Sequence, residues 1–103
     1  MLETIQAMAE PTRLAILQMV RCREMPAGEI ARQFPGITRP AVSQHLRVLK
    51  DSGLVLERRE GTRRLYRLRP EGFESLKELL EDFWSSRLEK LKTAAEREEK
   101  RKS

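Results

Sequence analysis

The chain has little with which to build a covalent or metal framework. Its 103 residues include one cysteine, Cys22, and one histidine, His45. A single thiol excludes an internal disulfide and a cysteine-rich zinc site, and one imidazole makes metal binding and histidine-dependent catalysis hard to assemble. The longest uninterrupted apolar run is four residues, Leu14 to Leu17, against the roughly 20 needed to cross a bilayer. Five glycines and five prolines are too few for a low-complexity chain. Glu3 follows Met1 almost at once, so a secretory leader is not expected. No nucleophile–base pair or phosphate loop stands out. These gaps point to a soluble, cytoplasmic protein that needs no cofactor or metal and is not an enzyme.

What the chain has in quantity is charge. Charged residues make up 36% and hydrophobic ones 39%, a balance that suits a helical protein with one thin core. The length allows one domain, burying roughly two-thirds of its unfolded surface. Lysine and arginine number 21 against 16 acids, for a net +5. Between Arg39 and Arg69 lie nine cations and three acids, so that span carries +6 and the rest of the chain −1. A solvated face mixes the two signs, as the C-terminal stretch does. Concentration of one sign favours a polyanion as partner: nucleic acid first, then a membrane surface or an acidic protein.

Periodicity supplies the elements. Leu2, Ile5 and Ala9 have helical spacing, which predicts a short helix over 2–9 that ends before Glu10-Pro11. A second helix, with Pro11 in its first turn, runs to about Arg23, with Leu14, Leu17 and Val20 on one face and nearly all of it buried. Pro26 opens a third, Ala27 to Phe34, with Ile30, Ala31 and Phe34 inward, and Pro35-Gly36-Ile37 breaks it. Thr38 is placed to cap a fourth helix, in whose first turn Pro40 is tolerated. Val42, Leu46 and Leu49 recur at i, i+4 and i+7 as far as Asp51-Ser52-Gly53. Two strands follow, Leu54–Arg59 and Arg63–Leu68, joined through Glu60-Gly61-Thr62 into a half-buried hairpin. From about Glu71 a long helix carries Phe73, Leu76, Leu80, Trp84, Leu88, Leu91 and Ala95 on one stripe, and fraying is expected past Ala95.

Two helices joined by a tight turn and followed by a basic hairpin are the parts of a winged helix-turn-helix. The predicted fold class is therefore mainly α with a small β-hairpin. In that arrangement the second helix enters the DNA major groove and presents its N-terminal side chains to base edges. Thr38, Arg39, Pro40, Ser43, Gln44, His45 and Arg47 form the candidate reading surface. Arginine matches guanine O6 and N7, and glutamine matches adenine N6 and N7. Arg58, Arg59, Gly61, Thr62, Arg63 and Arg64 form the candidate wing, expected to neutralise phosphates or enter the minor groove.

These residues also carry a resemblance. Glu10-Pro11-Thr12-Arg13-Leu14, the run from Thr38 to Leu49, Gly53-Leu54-Val55, and Arg59-Glu60-Gly61 through Tyr66-Arg67-Leu68 resemble the ArsR/SmtB family of bacterial repressors, over residues 2–92. The resemblance implies a homodimeric winged-helix repressor on a palindromic operator, with the first and last helices forming the dimer interface. Glutamate at position 10 replaces the family's aspartate. Metal-responsive members carry a Cys-Val-Cys box or His and Asp ligands on the last helix. The corresponding stretch here, Glu24 to Glu29, has no thiol, and the last helix has no histidine. Phe83-Trp84 and Arg87-Leu88 look more like the ligand-independent, autorepressor branch.

A single domain is expected, with residues 10–70 as its body and helices 2–9 and 71–97 serving dimerisation. A helix of about 25 residues is near 37 Å long, longer than so small a body covers. Leu2, Ile5, Leu76, Leu80, Phe83, Trp84, Leu88 and Leu91 are therefore candidates for an interface with a second copy. Two further readings stand beside the repressor: an inducible sensor with a small apolar ligand near Trp84, and a protein-interaction module whose hairpin docks an acidic partner. Cys22 is expected to close the second helix as a partly buried small side chain, with a redox switch as the alternative. His45 is expected to bond DNA backbone or a neighbouring side chain, and Arg13 to pair with a nearby acid.

Overall fold

Each of the two longer helices of the body has a proline in its first turn and a capping side chain before it. In the computed structural model, which describes residues 1–102 and the side chains of residues 1–98, the second helix is α2 (Pro11–Val20), after a short α1 (Leu2–Met8). The Glu10 carboxylate accepts the Arg13 amide at 2.8 Å, and Pro11 fills a first-turn position where no donor is needed. After β1 (Met25–Pro26) and α3 (Ala27–Arg32) comes α4 (Arg39–Asp51). There the Thr38 hydroxyl accepts the Ala41 amide at 3.3 Å, as its N-cap position predicts. Gly53, at φ +73°, reverses the chain beyond α4.

The strands β2 (Val55–Glu60) and β3 (Arg63–Leu68) pair antiparallel, Glu60 opposite Arg63, so the loop is the two residues Gly61 and Thr62. Gly61 takes φ +63°, which a tight hairpin turn requires. The sheet has three strands in the order β1-β3-β2, and β1 pairs Met25 with Tyr66 and Pro26 with Leu65. A 3₁₀ turn (Pro70–Phe73) leads into α5 (Glu74–Lys102).

Ile16, Leu17 and Val20 of α2, Ile30 of α3, and Val42, Leu46 and Leu49 of α4 close over Met25, Leu54, Val55 and Tyr66, with Ala7 of α1 at the margin. Each large side chain buried this way contributes about 1.5–3 kcal/mol.

Several boundaries differ from the sequence expectation. The third strand was not expected: two residues are too few to show a period of two. Because the chain must extend to enter β1, α2 stops at Val20 rather than near Arg23. Cys22 then falls in the exposed connection and is not partly buried. Leu14 is 40% exposed, so α2 is not closed all round. The third helix ends at Arg32 rather than Phe34, and the first hairpin strand starts at Val55 and includes Glu60. Leu65 is buried as well as Tyr66, because it lies in the middle strand between Pro26 and Arg58. The final helix opens as a 3₁₀ turn and is then helical over Glu74–Lys102.

The molecule is 71 Å long and 27 by 23 Å across, with a radius of gyration of 19.7 Å. A compact domain of this size has one of about 13 Å. The excess comes from α5, about 43 Å of helix. Among the described residues, α5 packs appreciably only against the 3₁₀ turn before it.

Candidate nucleic-acid interface

Alternation along the paired strands sorts the wing residues onto two faces. Val55, Glu57 and Arg59 lie opposite Leu68, Tyr66 and Arg64, and this face looks toward α4. Leu56, Arg58 and Glu60 lie opposite Arg67, Leu65 and Arg63 on the other face. The candidate wing cations are therefore divided: Arg59 and Arg64 are on the helix side, Arg58 and Arg63 on the far side.

Between α4 and the helix-side face runs a groove of about 550 Å³. Pro40, Ser43, Gln44, Arg47 and Lys50 of α4 form one wall, and Glu57, Arg64 and Tyr66 form the other. Three cations and one carboxylate line it, so its field is positive. Val42, Leu46 and Leu49 anchor α4 from beneath, which leaves Ser43, Gln44 and Arg47 exposed. Arg39 and Ser43 border a smaller cleft of about 170 Å³ between α3 and α4, and Thr38 is exposed at the helix start. The turn tip, Gly61 and Thr62, is exposed too.

Glu57, Tyr66 and Lys50 were not singled out from the sequence. The Tyr66 hydroxyl donates to Glu57 Oε2 at 2.9 Å, and Lys50 Nζ lies 3.7 Å from the same oxygen. Burial, and then the bond to Glu57, push the Tyr66 hydroxyl up to about 12, so it stays a donor. A two-residue loop at Gly61-Thr62 implies the Glu57–Tyr66 pairing directly. A three-residue connection, as read from Glu60-Gly61-Thr62, hides it.

Arg58 points away from the groove. Its Nε donates to both Glu24 carboxylate oxygens, at 2.9 and 3.1 Å, and Nη2 donates to Glu24 at 2.7 Å and to Glu60 at 3.0 Å. The guanidinium holds the Glu24 carboxyl below the usual carboxylate range, chiefly through those bonds.

His45 lies on α4 but turns toward the α1–α2 junction. Its Nδ1 is 3.4 Å from Arg13 Nη1 and 3.7 Å from Glu10. Arg13 itself donates to the Ala7 carbonyl at 2.8 Å and the Gln6 carbonyl at 3.4 Å. The acid pair expected for Arg13 is replaced by these carbonyls, because Glu10 is engaged by the Arg13 backbone amide. His45 meets the expectation of a neighbouring side-chain contact.

The candidate interface residues divide less sharply. Leu2, Ile5, Leu80, Phe83, Trp84, Leu88 and Leu91 are all exposed, and Leu76 is half-buried. Phe73, Leu76, Leu80 and Trp84 line an open apolar groove of about 540 Å³ on α5. Among the described residues no group of three or more His, Cys, Asp or Glu side chains is placed to hold a metal ion. Among the described residues no helix is long and apolar enough to cross a membrane.

A reading helix seated on a helix-turn, with a basic two-stranded arm beside it, defines a winged helix-turn-helix protein. A helix-turn-helix domain model matches residues 8–58. The chain is 47% identical over 83 residues to the HTH-type transcriptional regulator Rv2034 of Mycobacterium tuberculosis, covering 81% of this chain and 77% of that one. Its fold matches the crystal structure of a possible transcriptional regulator for arsenical resistance, with a TM-score of 0.72, 42% identity and coverage of 82% and 86% of the two chains. It also matches an ArsR-like transcriptional regulator from Rhodococcus sp. RHA1, with a TM-score of 0.71, 28% identity and coverage of 91% and 88%. The chain belongs to the ArsR/SmtB family of winged helix-turn-helix regulators, which are DNA-binding proteins rather than enzymes.

Proposed function

We propose that the chain is a transcriptional repressor that binds a palindromic operator in the cytoplasm as a homodimer. The observation that carries this reading is the groove between α4 and the wing, where Ser43, Gln44, Arg47, Lys50 and Arg64 converge. With α4 in the major groove and the wing in the adjacent minor groove, the sugar–phosphate strand between the two lies over this groove. Arg47, Lys50 and Arg64 then neutralise its phosphates. Arg39, Ser43 and Gln44 address base edges, and each good pair is worth about 1–3 kcal/mol of discrimination. His45 supports α4 from behind rather than touching bases.

The exposed apolar stripe of α5 supports pairing, because so much apolar surface on a small chain is stabilised by a second copy. Leu2 and Ile5 of α1 add to that surface. A two-fold dimer sets two reading helices about 34 Å apart, one turn of duplex. Occupying the promoter then suffices for repression, with no chemical step. Relatives named as repressors, including SdpR of Bacillus subtilis, favour repression over activation.

The test is selection of duplexes from a random pool, followed by footprinting. The expected result is an inverted repeat bound at about 10⁻⁸–10⁻¹¹ M with a steep salt dependence. Arg39→Ala or Gln44→Ala should relax base preference. No enrichment over the starting pool, even at low salt, would overturn the reading.

A further inference from the structure

Far-face contacts of the wing are the strongest unexplained feature. Arg58 sits on β2, one edge of the sheet, and Glu24 immediately precedes β1, the other edge. The guanidinium reaches across the middle strand, over Leu65, to take both oxygens of that carboxylate. Bidentate charge-assisted bonding is the strong and directional form of the ion pair. The aliphatic stem of Arg58 and Pro26 flank Leu65, which is only 4% exposed although it faces away from the main core.

This arrangement is unlike that of a phosphate ligand. Arg58 meets two carboxylates, Glu24 and Glu60, which occupy its donors and leave it unavailable to a phosphate, even though Arg63 and Arg67 share this face. It also sits on the face opposite the groove. What it joins is mechanically useful. Residues 21–24 link α2 to β1, and β1 runs directly into α3 of the helix-turn-helix. Glu24 is therefore held where the β1 edge of the sheet joins α3, and Arg58 on the outer strand of the wing.

We propose that the Glu24–Arg58 pair is a strut that sets the angle of the wing against the reading helix, which makes Glu24 a positioning residue for DNA binding. This inference rests on the DNA-binding reading above. Its sign is diagnostic: removing an acid from a basic protein strengthens polyanion binding by charge alone, whereas loosening the strut weakens it.

The experiment uses the full chain and a fluorescent duplex that the wild-type protein recovers from a random pool, with anisotropy read across a salt series. Glu24→Gln is expected to weaken binding roughly two- to five-fold, the range spanned by exposed ion pairs, with an unchanged salt slope. Arg58→Lys keeps the charge, loses the fork and should weaken binding similarly. The charge swap Glu24→Arg with Arg58→Glu should recover most of the affinity of wild type, and amide exchange across residues 58–64 should be faster in Glu24→Gln than in the swap. Thermal melts of each variant separate lost fold from lost positioning.

The proposal is overturned if Glu24→Gln binds equally or more tightly. It is also overturned if Arg58→Gln lowers the salt slope by about one, the mark of a phosphate contact, or if the swap binds no better than the single variants. Wild-type protein that binds no duplex would remove the DNA reading, and the proposal with it. Normal wild-type binding with Glu24→Gln unaffected removes the proposal alone.

Discussion

Residues 10–70 and α5 use the same apolar amino acids to opposite ends. In the body, Leu46, Leu49 and Leu54 are at most 2% exposed, and α2, α4 and the sheet close around them. On α5, Leu80, Phe83, Trp84, Leu88 and Leu91 are 49–64% exposed. Helical periodicity is equally regular in both regions. What differs is the supply of covering surface: the body folds back on itself, and α5 runs past the end of anything that could cover it. An apolar stripe states that a face wants burial. It does not state whether the cover comes from the same chain.

The largest expected effect separates these two roles. Leu80→Asp places a carboxylate in the middle of the proposed interface, and an unpaired buried charge should raise the dimer dissociation constant at least ~100-fold. Sedimentation should show a monomer whose body retains its circular dichroism. A wild-type chain that sediments as a monomer, or a variant that stays paired, ends the assignment of α5 to a partner.

A core substitution provides the contrast. Leu49→Ala should cost about 2–5 kcal/mol whatever the protein concentration. Leu88→Ala should instead lower the melting temperature only at protein concentrations where the wild type is paired, and leave it unchanged in protein dilute enough to be monomeric, since association is what it weakens. If both variants depended on concentration in the same way, the body would not be self-sufficient.

The two faces of the wing give a smaller effect. Arg64→Ala, on the groove side, should reduce the slope of log affinity against log salt by about one. Arg63→Ala, on the far side, should change that slope less. Equal effects from the two would mean that DNA contacts the hairpin tip without regard to face.

The smallest effect is at the start of α2. The Arg13 amide, aided by the charges of His45 and Arg13, holds the Glu10 carboxyl below its ordinary value of 4.5. A depressed folded value stabilises the fold above the unfolded pKa, and that contribution disappears as pH falls through the folded one. Glu10→Ala should therefore cost about 1 kcal/mol at neutral pH, as loss of a cap does. The cost should shrink below pH 4.5, and a difference that persisted at pH 2 would point to packing instead.

Much of this molecule is legible along the chain. Thr38 followed by Arg39-Pro40 marks where α4 begins, and Val42, Leu46 and Leu49 mark the face it buries. Gly61 marks the hairpin. The errors cluster where a distant partner decides. Met25 and Pro26 have no strand signal of their own and become β1 because β3 offers a free edge. Leu65 alternates with its neighbours as a half-buried strand residue would, yet it is closed by Pro26 and Arg58. Arg58 looks like its neighbour Arg59 and faces the other way.

Local order in this protein was written in the chain: caps and breakers act over four or five residues, and apolar spacing shows a buried face within about two helical turns. The roles of individual charges were not. Glu24 and Arg58 are 34 positions apart, and only the register of the sheet brings them together. That register turns on whether the loop has two residues or three, a difference that moves every side chain of a strand to the other face.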